Sequence, residues 1–282
     1  MNPGKPLTLR GRTLGGDRPL ICSPLVGRTR ERLLSETANV RAKSPDVIEW
    51  RVDYFEAIAD ASAVLDTGRA MRAIVGDTPI LFTRRSIREG GEAIRDLVGD
   101  TPVIFTRRSV REGGESIAIG DEEVVRLYEA VAASKLVDLI DFEMGNDADH
   151  IRLVRAATRA SATALVLSYH NFGYTPGADF LVQRFLEAER LGADVAKVAV
   201  MPRDRADVLT LLSATAQAES KSRIPLISMS MGPLGAVTRM IGGVFGSSLS
   251  FAIGEGASAP GQIPIADLKA LYDIIARARG GR

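Results

Sequence analysis

The sequence predicts one (β/α)8 barrel, the TIM-barrel class of α/β fold, on three observations. Short apolar runs rich in Val and Ile alternate with amphipathic segments along the chain. Strands and helices each number eight once a duplicated run is counted once. A length of 282 residues suits a single barrel of this kind.

The elements follow in order. Candidate strands are PLICSPL (19–25), DVIEWRVD (46–53), ILFT or VIFT (80–83 or 103–106), VDLIDFEM (137–144), ALVLSYH (164–170), VAKVAVM (195–201), PLISMSM (225–231) and LSFAI (249–253). They are nearly continuously apolar, as strands of a parallel sheet buried on both faces must be. Helical spacing falls near 28–42, 61–75, 122–134, 147–160, 179–191, 204–218, 233–243 and 265–279, several with a proline or capping residue at the start. An open doubly wound sheet would show a glycine-rich phosphate loop after its first strand, and SPLVGRTRE supplies a single glycine. No biased linker divides the chain, so residues 1–282 read as one domain, with 1–18 as an extension covering the barrel floor.

The local tandem duplication is the unusual feature. Ala70–Glu92 and Ala93–Glu115 are 23-residue copies that differ at six positions, five of them exchanges among Met, Ile, Leu and Val. A solenoid needs three or more units with a continuing period, so this is a duplication around strand three of an ordinary domain.

Composition narrows the function. Lys plus Arg number 36 against 35 acidic residues, which gives no global field toward nucleic acid or membrane. Cys22 is the single cysteine, and no HExxH or CxxC occurs, so neither a disulfide framework nor a catalytic metal is expected. The opening MNPGKPLTLRGRTLGG lacks the apolar core of a signal peptide, and a soluble cytoplasmic protein is the expectation.

Barrel enzymes carry reacting groups where strands end. The charged residues there are Glu49, Arg51 and Asp53; Arg85 and Glu89 or Arg108 and Glu112; Asp141 and Glu143; His170; Lys197; and Arg239, with Ser258 and Gln262 in the last loop. Lys197 sits inside an apolar strand. Burial pushes a lysine pKa down by as much as ~3–5 units, and a neutral amine attacks ketones; the alternative is an ion pair with a carboxylate such as Glu143. His170 could exchange protons at the mouth or simply hydrogen-bond a loop, while His150, in a polar helix start, reads as surface. Arg51, Arg239 and Arg85 or Arg108 could hold a carboxylate by their guanidinium forks, or form barrel ion pairs with Glu49, Asp53 or Asp141.

Seven ordered blocks, EWRVD (49–53), FTRRSxREGGE (either copy), SYHNF (168–172), AKVAVMP (196–202), SMSMGPLGAVTR (228–239), FGSSLSFA (245–252) and SAPGQ (258–262), closely resemble the type I 3-dehydroquinase family from about residue 18 onward. The resemblance implies a barrel, usually dimeric, that converts 3-dehydroquinate to 3-dehydroshikimate in the shikimate pathway without metal or cofactor. By matched motif, Lys197 would form an imine with the substrate ketone. His170 would move the protons, and the glutamate opening EGGE would orient it. Arg239 would grip the substrate carboxylate, with Glu49, Arg51, the second arginine of FTRRS, Ser258 and Gln262 binding the remainder.

That family pattern has one FTxRS…EGGE block, so the chain departs from it. Either ILFT is strand three and 93–115 lies in the loop above, or VIFT is strand three and 77–99 lies in the connection below. An insertion below leaves the pocket untouched, so the reading prefers Arg108 and Glu112 over Arg85 and Glu89. The rival readings are a barrel whose site the insertion has spoiled, left with a structural or binding role, and a different imine-forming lyase or aldolase.

Overall fold

The computed structural model describes residues 6–9, 11–51, 54–57, 61–76, 78, 80–84, 103–106, 121–134, 139–256 and 261–280. A hairpin, β1 (Leu7–Leu9) and β2 (Arg12–Leu14), precedes the sheet. There follow β3 (Leu20–Leu25), α1 (Arg30–Ala42), β4 (Val47–Arg51), α2 (Ala61–Val75), β5 (Ile80–Arg84), β6 (Val103–Thr106), α3 (Asp121–Ser134), β7 (Leu139–Glu143) and α4 (Ala148–Ser161). The chain continues with β8 (Ala164–Asn171), α5 (Ala178–Arg190), β9 (Val195–Val200), α6 (Arg205–Glu219) and β10 (Leu226–Ser230). Last come α7 (Ala236–Ile241) with a 3-10 turn (Gly242–Phe245), β11 (Leu249–Ile253), the short β12 (Ile263–Pro264) and α8 (Ile265–Ala278).

Every pairing in the main sheet is parallel, and the order runs β10-β9-β8-β7-β6-β5-β4-β3-β11-β12. The chain order of the strands is thus their spatial order, as in a TIM-type α/β barrel. Its seam lies between β10 and β11. No ladder joins them; a single bridge links Leu226 and Ser247, the Ser248 N–H donates to the Leu226 carbonyl at 2.7 Å, and the Ser247 hydroxyl accepts from the Ser228 N–H at 3.0 Å.

The two duplicate strands lie side by side, which corrects the expectation that one copy stands outside an eight-stranded sheet. β5 pairs with β6 through Phe82–Val103, Thr83–Ile104 and Arg84–Phe105, so nine strands run from β3 to β11. The physical reason is that a strand's N–H and C=O groups must be satisfied, and an apolar parallel strand does this best between two neighbours. Residues 85–102, which join them, are long enough for a parallel crossover.

Side chains alternate between two cores. Ile48, Trp50, Ile140, Phe142, Leu165, Leu167, Ala196 and Val198 face the helices and pack with Leu33, Val40, Tyr128, Val154, Leu181, Phe185 and Leu211. The opposite parity, Leu20, Cys22, Val47, Leu139, Val166, Val195, Ala199, Ile227, Met229 and Leu249, fills the barrel interior, and Leu14 from the hairpin joins it. Arg18 fastens the entry to β3 by a two-pronged bond to Asp46, 2.7 Å on each side.

Candidate active site

The inward parity that carries apolar residues at the barrel floor carries polar ones higher up. On β4 Val47 is followed inward by Glu49 and Arg51; on β7 Leu139 by Asp141 and Glu143; on β8 Val166 by Ser168 and His170; on β9 Val195 by Lys197. All are buried except Lys197, whose side chain keeps 15% of its exposure. The mouth is therefore a set of charged groups with apolar walls, where electrostatic interactions are stronger than in water.

Lys197 Nζ lies 2.8 Å from Asp141 Oδ2, an ion pair within the barrel. The sequence-based alternative of a carboxylate partner is therefore realised, but with Asp141 in place of Glu143. The other Asp141 oxygen, Oδ1, accepts from the Ser168 hydroxyl. Ser168 stands opposite Lys197 in the β8–β9 ladder and opposite Glu143 in the β7–β8 ladder. His170 occupies the next inward position of β8, opposite Ala199, and its ring stacks toward Phe172 at 6.5 Å between centroids.

Arg239 is placed by backbone geometry. A Cβ on Gly235 would meet the Ser230 carbonyl oxygen at 2.3 Å, so only glycine lets α7 start directly over the end of β10. Thr238 Oγ1 then accepts from the Ser230 N–H at 3.0 Å and donates to the Gly235 carbonyl at 2.7 Å. The Arg239 carbonyl accepts from Ser250 and from Tyr272, each at 3.1 Å. Arg239 as a whole is 4% exposed, with Nη1 4.0 Å from the Met229 sulfur and Nε without a hydrogen-bond partner. Burial lowers the Arg239 pKa to about 10.

The remaining candidates divide by location. Arg51 sits above the ring of Tyr54, with Cζ 5.0 Å from the centroid, and Glu49 is level with Pro24 of β3. Gln262 is half-buried just before β12, which pairs with β11. A Cβ on Gly261 would strike the Gly232 carbonyl oxygen at 2.1 Å, so this loop docks tightly on the turn that precedes α7. Glu112, Arg108, Glu89, Arg85, Ser258 and Asp53 lie outside the described residues. His150 is on α4, half-buried. Among the described residues no cluster of three or more His, Cys, Asp or Glu is arranged to hold a metal, and no helix is long and apolar enough to cross a membrane.

Sequence reasoning missed Ser168 as a site residue. The signal was available in its spacing: it shares inward parity with Val166 and His170, and a buried hydroxyl there requires a partner.

The type I 3-dehydroquinase family model matches residues 21–96 and 92–279, so one copy of the duplicated block falls in each matched segment. The chain is 50% identical over 281 residues to 3-dehydroquinate dehydratase of Albidiferax ferrireducens, covering 99% of this chain and 98% of that one. It is 44% identical to the Aromatoleum aromaticum protein of the same name, over 95% and 94% of the two chains. The crystal structure of the Geobacillus kaustophilus 3-dehydroquinate dehydratase superposes with a TM-score of 0.77 at 42% identity, covering 98% of this chain and 99% of that one. A Clostridium difficile type I enzyme, solved with covalent modified comenic acid, gives a TM-score of 0.77 at 31% identity over 98% and 99%. Matched nearly end to end in sequence and in fold, the chain belongs to the type I 3-dehydroquinase family, lyases that dehydrate 3-dehydroquinate.

Proposed function

We propose that this dehydration runs through an imine on Lys197. The observation that carries the reading is the Lys197 amine itself, inside the barrel mouth on β9 with His170 on the adjoining strand. Removing a proton beside a plain ketone leaves an enolate. Beside a protonated imine the electrons settle on a cationic nitrogen, and the product is a neutral enamine. A base of modest strength is then sufficient, and imidazole has one near neutral pH.

In this reading His170 takes the C2 proton and returns one to the departing hydroxyl, so that water leaves rather than hydroxide. Loss of water by syn elimination, then hydrolysis of the imine, gives 3-dehydroshikimate. Arg239, buried and with Nε unbonded, is suited to the substrate carboxylate, the ligand for which a guanidinium fork is shaped. Glu49, Arg51, Arg108, Ser258 and Gln262 bind the hydroxyls and carboxylate, and Glu112 orients His170. The covalent comenic acid in the Clostridium difficile relative is in keeping with covalent chemistry toward a small organic acid. The enzyme would act in the cytoplasm, in the shikimate pathway toward aromatic amino acids, as a homodimer.

The test is borohydride reduction in the presence of 3-dehydroquinate, followed by peptide mass mapping. An adduct on Lys197 and loss of turnover are expected. An unmodified Lys197 in an enzyme that still turns over would refute the imine.

A further inference from the structure

We infer that Asp141 is the positioning residue of the reactive amine: held by Ser168, its buried carboxylate fixes Lys197 Nζ and stabilises positive charge on that nitrogen. The inference rests on the imine reading. It assigns a role to two residues, Asp141 and Ser168, that the substrate-binding set does not include.

Three facts of geometry carry it. Asp141 is 1% exposed, and both of its oxygens are used by different partners, Oδ1 by the Ser168 hydroxyl and Oδ2 by Lys197 Nζ at 2.8 Å. Bonds to both oxygens stop the carboxylate from rotating, so the direction in which it holds the amine is fixed. Among the described residues Lys197 is the one cation that is ion-paired with Asp141, so each neutralises a charge the other would otherwise bury alone.

The chemistry explains why a carboxylate is useful there. In imine formation an ammonium and a ketone give a protonated imine and water. Two of the three ammonium hydrogens leave with the carbonyl oxygen and one stays on nitrogen, so the nitrogen carries one positive charge before and after. A fixed carboxylate at hydrogen-bond distance stabilises that charge at both ends. It thereby maintains the protonated imine, the form that accepts electrons when the C2 proton is removed. Other charged groups at inward positions of the mouth are Glu49 and Arg51 on β4, Glu143 on β7 and His170 on β8, with Arg239 reaching Met229 from α7. The neighbouring strand β10 presents only Ile227 and Met229 inward.

The test uses the full-length protein with Asp141→Asn, Asp141→Glu and Ser168→Ala. Turnover of 3-dehydroquinate is measured together with trinitrophenylation of each lysine by trinitrobenzenesulfonate at neutral pH, in which the amine displaces sulfite from the ring, mapped by mass. Asp141→Asn should lower kcat by about 100-fold while KM changes little. Lys197 should then label several-fold faster, and the other five lysines at unchanged rates. Ser168→Ala should move both quantities the same way by less, and it decides the matter if Asp141→Asn does not fold. Asp141→Glu, which restores the charge, should bring Lys197 labelling back toward the parent rate, whereas a merely structural role predicts further damage from the larger side chain. Parent-like kcat and labelling in Asp141→Asn, or in Ser168→Ala where it alone folds, would overturn the assignment. Failure of the imine reading shows separately, as absence of a borohydride adduct on Lys197 of the parent enzyme.

Discussion

Arg239 directs Nη1 at the sulfur of Met229, 4.0 Å away, and among the described residues no carboxylate pairs with this buried guanidinium. Its folded pKa of about 10 lies below that of an ordinary arginine in the unfolded chain, which therefore binds that proton more tightly. Stability therefore rises with pH between those values, and at neutral pH the full cost, on the order of 3 kcal/mol, is present. Arg239→Met should thus stabilise the empty protein by about 1–3 kcal/mol, seen as a rise of a few degrees in Tm. The same change should raise KM for 3-dehydroquinate by about 30-fold or more, because the carboxylate loses its partner. A variant with lowered Tm and unchanged KM would remove Arg239 from the binding role.

Two buried carboxylates give opposite acid responses. Burial alone would raise Asp46, but the Arg18 guanidinium and the Ile21 N–H, 2.9 Å away, bring it below its ordinary value. Its contribution is present above the unfolded pKa and lost as pH falls through the folded one. Glu36 is raised by burial, which the N–H groups of Gly27 and Val26 at 2.7 and 3.0 Å offset only in part, with nearby Glu255 adding to the rise. Its penalty is present above the folded pKa and vanishes below the unfolded one. Thermal melts at pH 7 and pH 4 should show Asp46→Asn losing about 1–2 kcal/mol at pH 7 and less at pH 4. Glu36→Gln should be at its most favourable relative to the parent at pH 7, and activity per folded molecule should be unchanged in both.

How far the site was legible is clearest at Lys197. Its place inside an apolar strand was legible in VAKVAV, but the face it takes was not, because both parities of that run are apolar: Ala196, Val198 and Val200 face the helices, Val195 and Ala199 the interior. The choice between Asp141 and Glu143 as partner did not follow from parity, which is the same for both. In the ladders Glu143, Ser168 and Lys197 are level, so a flat sheet would select Glu143. A barrel with as many units of shear as strands staggers neighbours by about one residue per strand, and its layers come from alternate strands. From β9 to β7 the layer drops two residues, to Asp141. The Gly235 contact with Ser230 that seats Arg239 depends on backbone path and left only a glycine in the sequence as its trace. The side-by-side strands were illegible for a different reason: an expected total of eight left the ninth no place in the sheet.

The duplicate glutamates can be separated directly. Under the preference for the second copy, Glu112→Ala impairs turnover by about 100-fold or more through loss of His170 orientation, and Glu89→Ala leaves it near the parent value. The reverse result assigns the role to the first copy. The pH–rate profile distinguishes orientation from damage: if Glu112 orients His170, its loss should shift the acidic limb, while simple misfolding would scale the profile without moving it.

Deleting residues 93–115 tests what the ninth strand costs. Because the copies differ at six positions, five of them conservative, the shortened chain retains one complete FTRRS…EGGE block and joins Glu92 to Ser116 in the same local sequence as Glu115 to Ser116. The seam between β10 and β11 rests on the Leu226–Ser247 bridge and a few hydrogen bonds, against a five-residue register between β9 and β10. An eight-stranded barrel needs less circumference, so these edges should approach and pair, and each backbone bond gained contributes about 0.5–1.5 kcal/mol. The expected outcome is retained turnover, a higher Tm, and slower hydrogen exchange at 226–230 and 249–253. A deletion that lowers Tm and leaves exchange at the seam unchanged would mean that the barrel has adapted to nine strands and that the surplus strand now contributes to its stability.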